Sequence, residues 1–223
     1  KGSRVEPCVL LNVEKGPICI GEDVVIRGPS AIDGPCFIGD RSLVEIAQLR
    51  QGCSIGRVCK VGGELEESII QGFSNKHHFG FIGHSYIGEW VNLGAGTTNS
   101  DLKNNYSSVR VVIGGEEIDS QAVNVGCFIG DHTKTGIGTL IETGAVIGVF
   151  SNLFGGRRVT PKFVPSFSWG DGESFTEHRL DRAILTARAV MARRGEELTD
   201  SYAKLIEEVH RLTSEETRWR TQP

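Results

Sequence analysis

Three observations predict the fold class. Isoleucine or valine recurs at every sixth residue, at Ile20, Ile26, Ile32, Ile38 and Val44. Glycine follows many of these apolar residues, as at Gly21, Gly39, Gly56, Gly88, Gly130 and Gly148. A small residue sits two positions before them, as at Ser30, Cys36, Ser42, Cys53, Ser85 and Ala145. Six residues cannot be the period of an α-helix, but they fit a short strand plus a corner. The apolar residue points inward, and so does the residue two before it, because strand side chains alternate. Glycine lets the corner turn without a Cβ clash. Three such sides close one triangular coil. The prediction is an all-β chain, a left-handed parallel β-helix of hexapeptide repeats with a C-terminal α-helical tail. This coil runs against the right-handed crossover rule, so only a strong repeat justifies it.

Composition agrees. The 223 residues carry 29 glycines, about twice the usual share, and only 7 prolines, with no low-complexity tract. Apolar residues make up 39% and charged residues 23%, enough for a real core. The net charge of −4 argues against nucleic acid or an anionic membrane as partner. No apolar run approaches the roughly 18 residues of a membrane span. The chain begins with Lys1, and no secretory signal pattern is visible, which predicts a fragment whose N-terminal domain lies outside the sequence.

The elements follow in order. Residues 1–16 read as a lead-in. The β-helix occupies residues 17–155, with the period returning at Ile55, Val61, Ile87, Leu93, Ile129, Ile141 and Ile147. Between residues 99 and 124 the repeat fails, and Gly114-Gly115 between apolar-flanked segments predicts a loop or hairpin leaving the coil. An excursion this long is usually functional. Residues 156–223 form an irregular stretch with Pro161 and Pro165, then a helical tail. Ser174 and Glu177 have capping-box spacing for a first helix. Leu180, Ile184, Val190 and Met191 form its stripe, and Gly195 after Arg193-Arg194 ends it. A second helix carries Leu198, Leu205, Ile206, Val209 and Leu212.

The frame also explains the cysteines. Cys36, Cys53, Cys59 and Cys127 fall on inward positions, so they are core fillers rather than disulfide partners or zinc ligands. Buried free thiols predict a reducing, cytoplasmic setting. A β-helix offers flat faces, so a ligand site needs a loop or another subunit for a wall. Threefold symmetry is the natural closure for a triangular prism, which predicts a homotrimer.

The densest polar constellation is residues 74–105, with His77, His78 and His84. Histidine is the side chain suited to proton transfer near pH 7. His78-Phe79-Gly80-Phe81-Ile82-Gly83 precedes Ile87-Gly88-Glu89-Trp90-Val91-Asn92-Leu93-Gly94-Ala95-Gly96-Thr97. This pattern resembles the acetyltransferase domain of the bifunctional N-acetylglucosamine-1-phosphate uridyltransferase / glucosamine-1-phosphate N-acetyltransferase family. The resemblance extends from about Gly16 to Phe150. SDLKNNY and PSFSWG resemble a divergent branch of sugar nucleotidyltransferases, in which a nucleotidyltransferase domain precedes the β-helix.

The resemblance implies roles. His78 would be the general base of acetyl transfer from acetyl-CoA to the amine of a hexosamine 1-phosphate, glucosamine 1-phosphate first, in UDP-N-acetylglucosamine synthesis. Asn92 would orient the sugar, and Arg50 would hold its phosphate. Ala95, Asp131 and Val149 match positions whose backbone lines the pantetheine arm. Arg157, Arg158 and Lys162, just past the last coil, are either a solvated turn or a binding patch for the CoA phosphates. No metal is expected in this part; Mg would serve only the preceding nucleotidyltransferase domain. The sequence departs from the family pattern at His77, at Phe81, at Glu66-Glu67 and at Asn99-Ser100-Asp101-Leu102, where the family has Asn, Tyr, a Lys pair and an Asn-Tyr-Asp-Gly run. Lys76 or Lys103 would supply the missing charge. Two other readings stand beside this one. One is a non-catalytic β-helix that trimerises and regulates an attached nucleotidyltransferase. The other is a zinc hydratase of gamma-carbonic-anhydrase type, with His78 and His84 or His132 as ligands.

Overall fold

The computed structural model describes residues 1–156 and 159–214. The chain coils into the left-handed parallel β-helix that the repeat predicts, with two helices at the C-terminal end. Three stacked faces result. The first face runs in order from Ile18–Ile20 through Cys36–Ile38, Cys53–Ile55, Ile69–Ile70, Tyr86–Ile87, Phe128–Ile129 and Val146–Ile147 to Phe163–Val164. Every pairing on it is parallel, with Ile38 beside Ile55 and Ile70 beside Ile87. The second face carries Asn75 beside Lys60, then Asn92, Lys134 and Asn152. The third includes Ser30–Asp33, Phe81–Gly83, Thr98–Asn99 and Leu140–Ile141.

The inward frame fills the prism. Ile26, Ile32, Ile38, Val44, Ile55 and Val61 have no exposed surface, and Ile87, Ile129, Ile141 and Ile147 nearly none. The small residues two positions earlier are buried with them, from Val24 to Ala145. All six cysteines are free; Cys36, Cys53, Cys59 and Cys127 are buried, as their positions require. Desolvation pushes the Cys127 thiol up to about 12, so it is an inert filler rather than a nucleophile.

Three boundaries differ from expectation. Residues 1–16 already lie in the coil: Arg4–Val5 pairs with Val25–Arg27, and Val9–Asn12 with Ser30–Asp33. An end coil packs on one side only, so it tolerates the exposed Leu10 and does not need the strict apolar frame. At the other end, Phe163–Val164 and Ser168–Gly170 extend the stack past residue 155 despite Pro161 and Pro165. Finally, Ser174 and Glu177 cap no helix. Phe175–Glu177 is a strand, antiparallel to Ser168–Gly170. The open edge of that last strand takes up backbone hydrogen bonds the segment would otherwise leave to a helix. The first helix, α1, is Leu180–Ala192, and the second, α2, is Asp200–Thr213. Gly195 does end α1, at φ +74°, with the Glu196 N–H bonded back to the Met191 carbonyl. Thr199 caps α2 by accepting from the Tyr202 N–H.

The excursion is a hairpin, Arg110–Ile113 against Glu116–Asp119. Gly114 and Gly115 sit in the left-handed region at its tip, as a tight two-residue turn requires. Its root packs on the prism through buried Val109 and Val111.

One feature had no counterpart in the inward frame. Phe73, Trp90, His132, Phe150 and Phe167 stack ring on ring up the corner between the first and second faces. Phe73 and Trp90 are 4.1 Å apart at 7°, His132 and Phe150 4.5 Å at 9°, Phe150 and Phe167 5.0 Å at 8°. All five have positive φ, between 53° and 60°. Helices α1 and α2 cover this column with Ala183, Ala187, Met191 and Ile206, joined by Leu198 of the connection between them, making a second core separate from the prism interior.

Candidate active site

The clearest gathering of the expected residues is a cleft of about 330 Å³ on the second face, lined by Lys60, Asn75, His77, His78, Asn92, Leu93, Gly94, Ala95 and Ile137. Asn92 reaches it because it occupies an outward strand position between buried Val91 and Leu93. Ala95 sits in the glycine-flanked corner that follows, and its carbonyl accepts from the Gly138 N–H at 2.7 Å. His78 lies in the turn after Asn75–Lys76 and is exposed.

The neighbouring histidines are engaged elsewhere. His77 Nε2 meets Glu45 Oε1 at 2.5 Å. His84 lies between Asp101, at 2.7 Å, and Glu67, at 3.3 Å. His78 stands 5.1 Å from the His77 ring and opens on the cleft. His132 is buried in the aromatic column, where desolvation drives its pKa down to about 3. The histidines of the hydratase reading therefore do not meet within one chain. Among the described residues, no three His, Cys, Asp or Glu side chains converge to hold a metal ion.

Several expected residues stand apart from the cleft. Lys76 points into the prism, not to solvent, and is 2% exposed. Its ammonium donates to the carbonyls of Gly62, at 2.9 Å, and His78, at 2.6 Å, and burial pushes its pKa down to about 8. Inward alternation decides this: Lys76 pairs beside Val61 of the core. It therefore anchors the backbone of His78 from inside the prism and does not line the cleft. Arg50 lines a different groove, with Asn12, Asp33 and Glu66, and its guanidinium is bound to Glu64 at 2.6 Å. This part-exposed ion pair engages its guanidinium away from the cleft. Lys103 donates to the Ser108 carbonyl inside the excursion, and Lys162 to the Thr143 carbonyl; neither lines the cleft. Asp131 and Val149 lie on the corner beside the aromatic column, across the second face from Ala95. Asp131 there caps the Glu89 N–H at 2.8 Å, and Val149 packs under the tail helices. Arg157 and Arg158 lie outside the described residues.

A second groove, also of about 330 Å³, adjoins the cleft and shares Lys60, Asn75 and Asn92 with it. Lys134 and, from the end of α1, Arg193 and Arg194 complete its rim. The sequence reading missed Lys60, Asn75, Lys134 and both arginines as site residues. A signal existed: Lys60, Asn75, Asn92 and Lys134 each stand one place before an inward residue of the second face.

Fold and cleft define the class, a hexapeptide-repeat β-helix with a histidine-bearing cleft on one face. Within that class, the chain is similar to bifunctional sugar-1-phosphate nucleotidyltransferase/acetyltransferase proteins, over their C-terminal half. It is 37% identical over 102 residues to the bifunctional sugar-1-phosphate nucleotidylyltransferase/acetyltransferase of Sulfurisphaera tokodaii, covering 45% of this chain and 25% of that protein. It is 31% identical over 156 residues to the bifunctional protein GlmU of Heliobacterium modesticaldum, covering 69% and 30%. The chain thus spans about a quarter to a third of the length of the curated relatives it matches. No family model matches it. Among solved structures, the UDP-N-acetylglucosamine acyltransferase of Francisella novicida covers 93% of this chain and 78% of its own, at 14% identity and a TM-score of 0.34. A likeness so loose aligns no individual site residue. Among the described residues, no helix is long and apolar enough to cross a membrane.

Proposed function

We propose that the chain is an acetyl-CoA-dependent N-acetyltransferase domain acting on a hexosamine 1-phosphate, glucosamine 1-phosphate first. It would serve UDP-N-acetylglucosamine synthesis in the cytoplasm, within a longer sugar-1-phosphate nucleotidyltransferase. One observation carries this reading: His78, Asn92 and Ala95 line a single cleft. The chemistry suits the residues. The neutral amine attacks the thioester carbonyl, and His78 takes the proton that the nitrogen sheds. The tetrahedral intermediate collapses by expelling the CoA thiolate, which then picks up a proton. One base of this kind contributes about 10²–10⁴ in rate. The Asn92 amide would orient the sugar, and the Ala95 backbone would face the pantetheine arm.

The homotrimer belongs to the same proposal. The corner between the second and third faces carries Ile46, Phe79, Ile137 and Phe154, 70%, 72%, 77% and 44% exposed, an apolar column that a second copy would cover. A non-catalytic, trimerising and regulatory β-helix is the second reading. It is favoured by the Arg50–Glu64 pair and by Phe81, which has no hydroxyl to offer.

The deciding experiment is thiol release from acetyl-CoA in the presence of glucosamine 1-phosphate, with wild type and His78→Ala. A rate that falls at least a hundredfold in the variant supports acetyl transfer with His78 as base. A folded wild type that releases no thiol with glucosamine 1-phosphate or other amino-sugar phosphates sinks it in favour of the scaffold.

A further inference from the structure

The groove beside the cleft has an unusual charge. Lys60, Lys134, Arg193 and Arg194 line it, and among the described residues no carboxylate lines either it or the adjoining cleft. Two of these cations rise from the β-helix face. Lys60, Asn75, Asn92 and Lys134 are outward residues of successive strands, so the lysines stand three strand spacings, roughly 14 Å, apart at their Cα atoms. The arginines come down from the C-terminal end of α1. Basic residues there would ordinarily answer the helix dipole. Arg194 instead reaches across to the β-helix, donating from Nη2 to Asn75 Oδ1 at 2.6 Å. Asn75 passes the connection on, donating from Nδ2 to Asn92 Oδ1 at 3.1 Å. The tail therefore fixes the amide of Asn92, leaving its NH₂ to face a ligand.

Four cations gathered with no carboxylate among the described lining residues favour an anion, although the Lys134 ammonium also donates to the His132 carbonyl at 2.8 Å. Desolvation pushes the Lys134 ammonium down to about 8, and desolvation is the chief cause that lowers Arg194, with Arg193 a smaller one in the same direction. A dianion relieves both. Guanidinium groups suit it because their forked donors match phosphate oxygens, and lysines add point charge.

We propose that this groove is a phosphate subsite: it takes the phosphate ester of a ligand whose reacting end lies at His78. The tail helix is then a wall of the active site and not only a cover for the aromatic column. The subsite supplies the charge that Arg50, paired with Glu64, does not. The position of the reacting end rests on the acetyl-transfer reading; the phosphate site itself does not. The ester is either that of the acceptor sugar or one of those on the acyl donor.

Calorimetric titrations with glucosamine 1-phosphate and with coenzyme A test it, alongside glucosamine and pantetheine as phosphate-free counterparts. Lys60→Gln and Arg193→Gln are the variants, and circular dichroism confirms their fold. Each should weaken one phosphate ester at least tenfold and leave the phosphate-free partner unchanged. A loss confined to glucosamine 1-phosphate assigns the subsite to the acceptor, and one confined to coenzyme A assigns it to the donor. Unchanged affinity for both esters overturns the proposal, as does a wild type that binds neither. The two readings fail separately. Weakened ester binding in a protein with no acetyl transfer keeps the subsite and loses the enzyme. Active protein whose variants keep both KM values keeps the enzyme and loses the subsite.

Discussion

Two corners of the prism carry large apolar side chains, and they meet different fates. At the corner between the first and second faces, Phe73, Trp90, His132, Phe150 and Phe167 stack beneath α1 and α2, each 5% exposed or less. At the corner between the second and third faces, Ile46, Phe79, Ile137 and Phe154 stand in solvent. Both columns arise because a coil repeats each corner position about one strand spacing further along. The first is satisfied within the chain, since the tail folds back over it. The second has no covering from the described residues. The candidate site lies on the face between them, so one wall comes from the chain's own tail and the other side is open to a neighbour.

The comparison can be broken at the closed corner first. Trp90→Ala removes the second ring of the stack, 4.1 Å from Phe73 and 6.0 Å from His132. The expected loss is about 3–5 kcal/mol of unfolding free energy, read by denaturant titration. A loss under about 1 kcal/mol would mean that the helices hold themselves.

Acid should loosen the same corner less steeply. His132 Nε2 lies 3.0 Å from the Tyr202 hydroxyl of α2, and Nδ1 is buried without a partner. Its folded pKa, about 3, lies below its ordinary 6.5, so the unfolded chain binds the proton more readily. Stability from this group is whole above pH 6.5 and falls as the pH drops toward 3. The slope is about 1.4 kcal/mol per pH unit at most, hence roughly 2–3 kcal/mol between pH 6.5 and 4.5. His132→Phe keeps the stack and should lack that part of the acid loss. Equal slopes in the two proteins would show that His132 is not the group responsible.

The smallest effect belongs to the open corner. Phe79→Ser should change the stability of the isolated chain by no more than about 0.5 kcal/mol, since the ring is 72% exposed. The same substitution should weaken the proposed trimer, seen by sedimentation velocity. A trimer unchanged by it would place the interface on another surface.

How much of this was legible beforehand differs by layer. The inward frame was readable because burial acts on every coil alike: Ile26, Ile38, Ile55, Ile87 and Ile147 must all be apolar, and Cys36, Ser42, Cys53 and Ser85 must all be small. The aromatic column was equally periodic. Phe73, Trp90, His132, Phe150 and Phe167 each follow an inward isoleucine or valine by three residues, a signal present but unread. The cleft was half legible, through His78, Asn92 and Ala95 of one continuous segment. Lys76 shows the limit, because a residue offered as a ligand for phosphate turned out to lie inside, holding the His78 carbonyl.

The sequence by itself determined the coil, its inward residues, the thiols that fill it and the place where the excursion leaves it. These follow from short-range periodicity, since each residue's side of the strand is set by its neighbours. The tertiary structure alone decided that Arg193 and Arg194 face Lys60 and Lys134, that Arg50 is taken by Glu64, and that Phe175–Glu177 is a strand. Each of these depends on which distant segment packs alongside, and no local spacing records that. Arg194 and Asn75 are 119 residues apart in the chain and 2.6 Å apart in the fold.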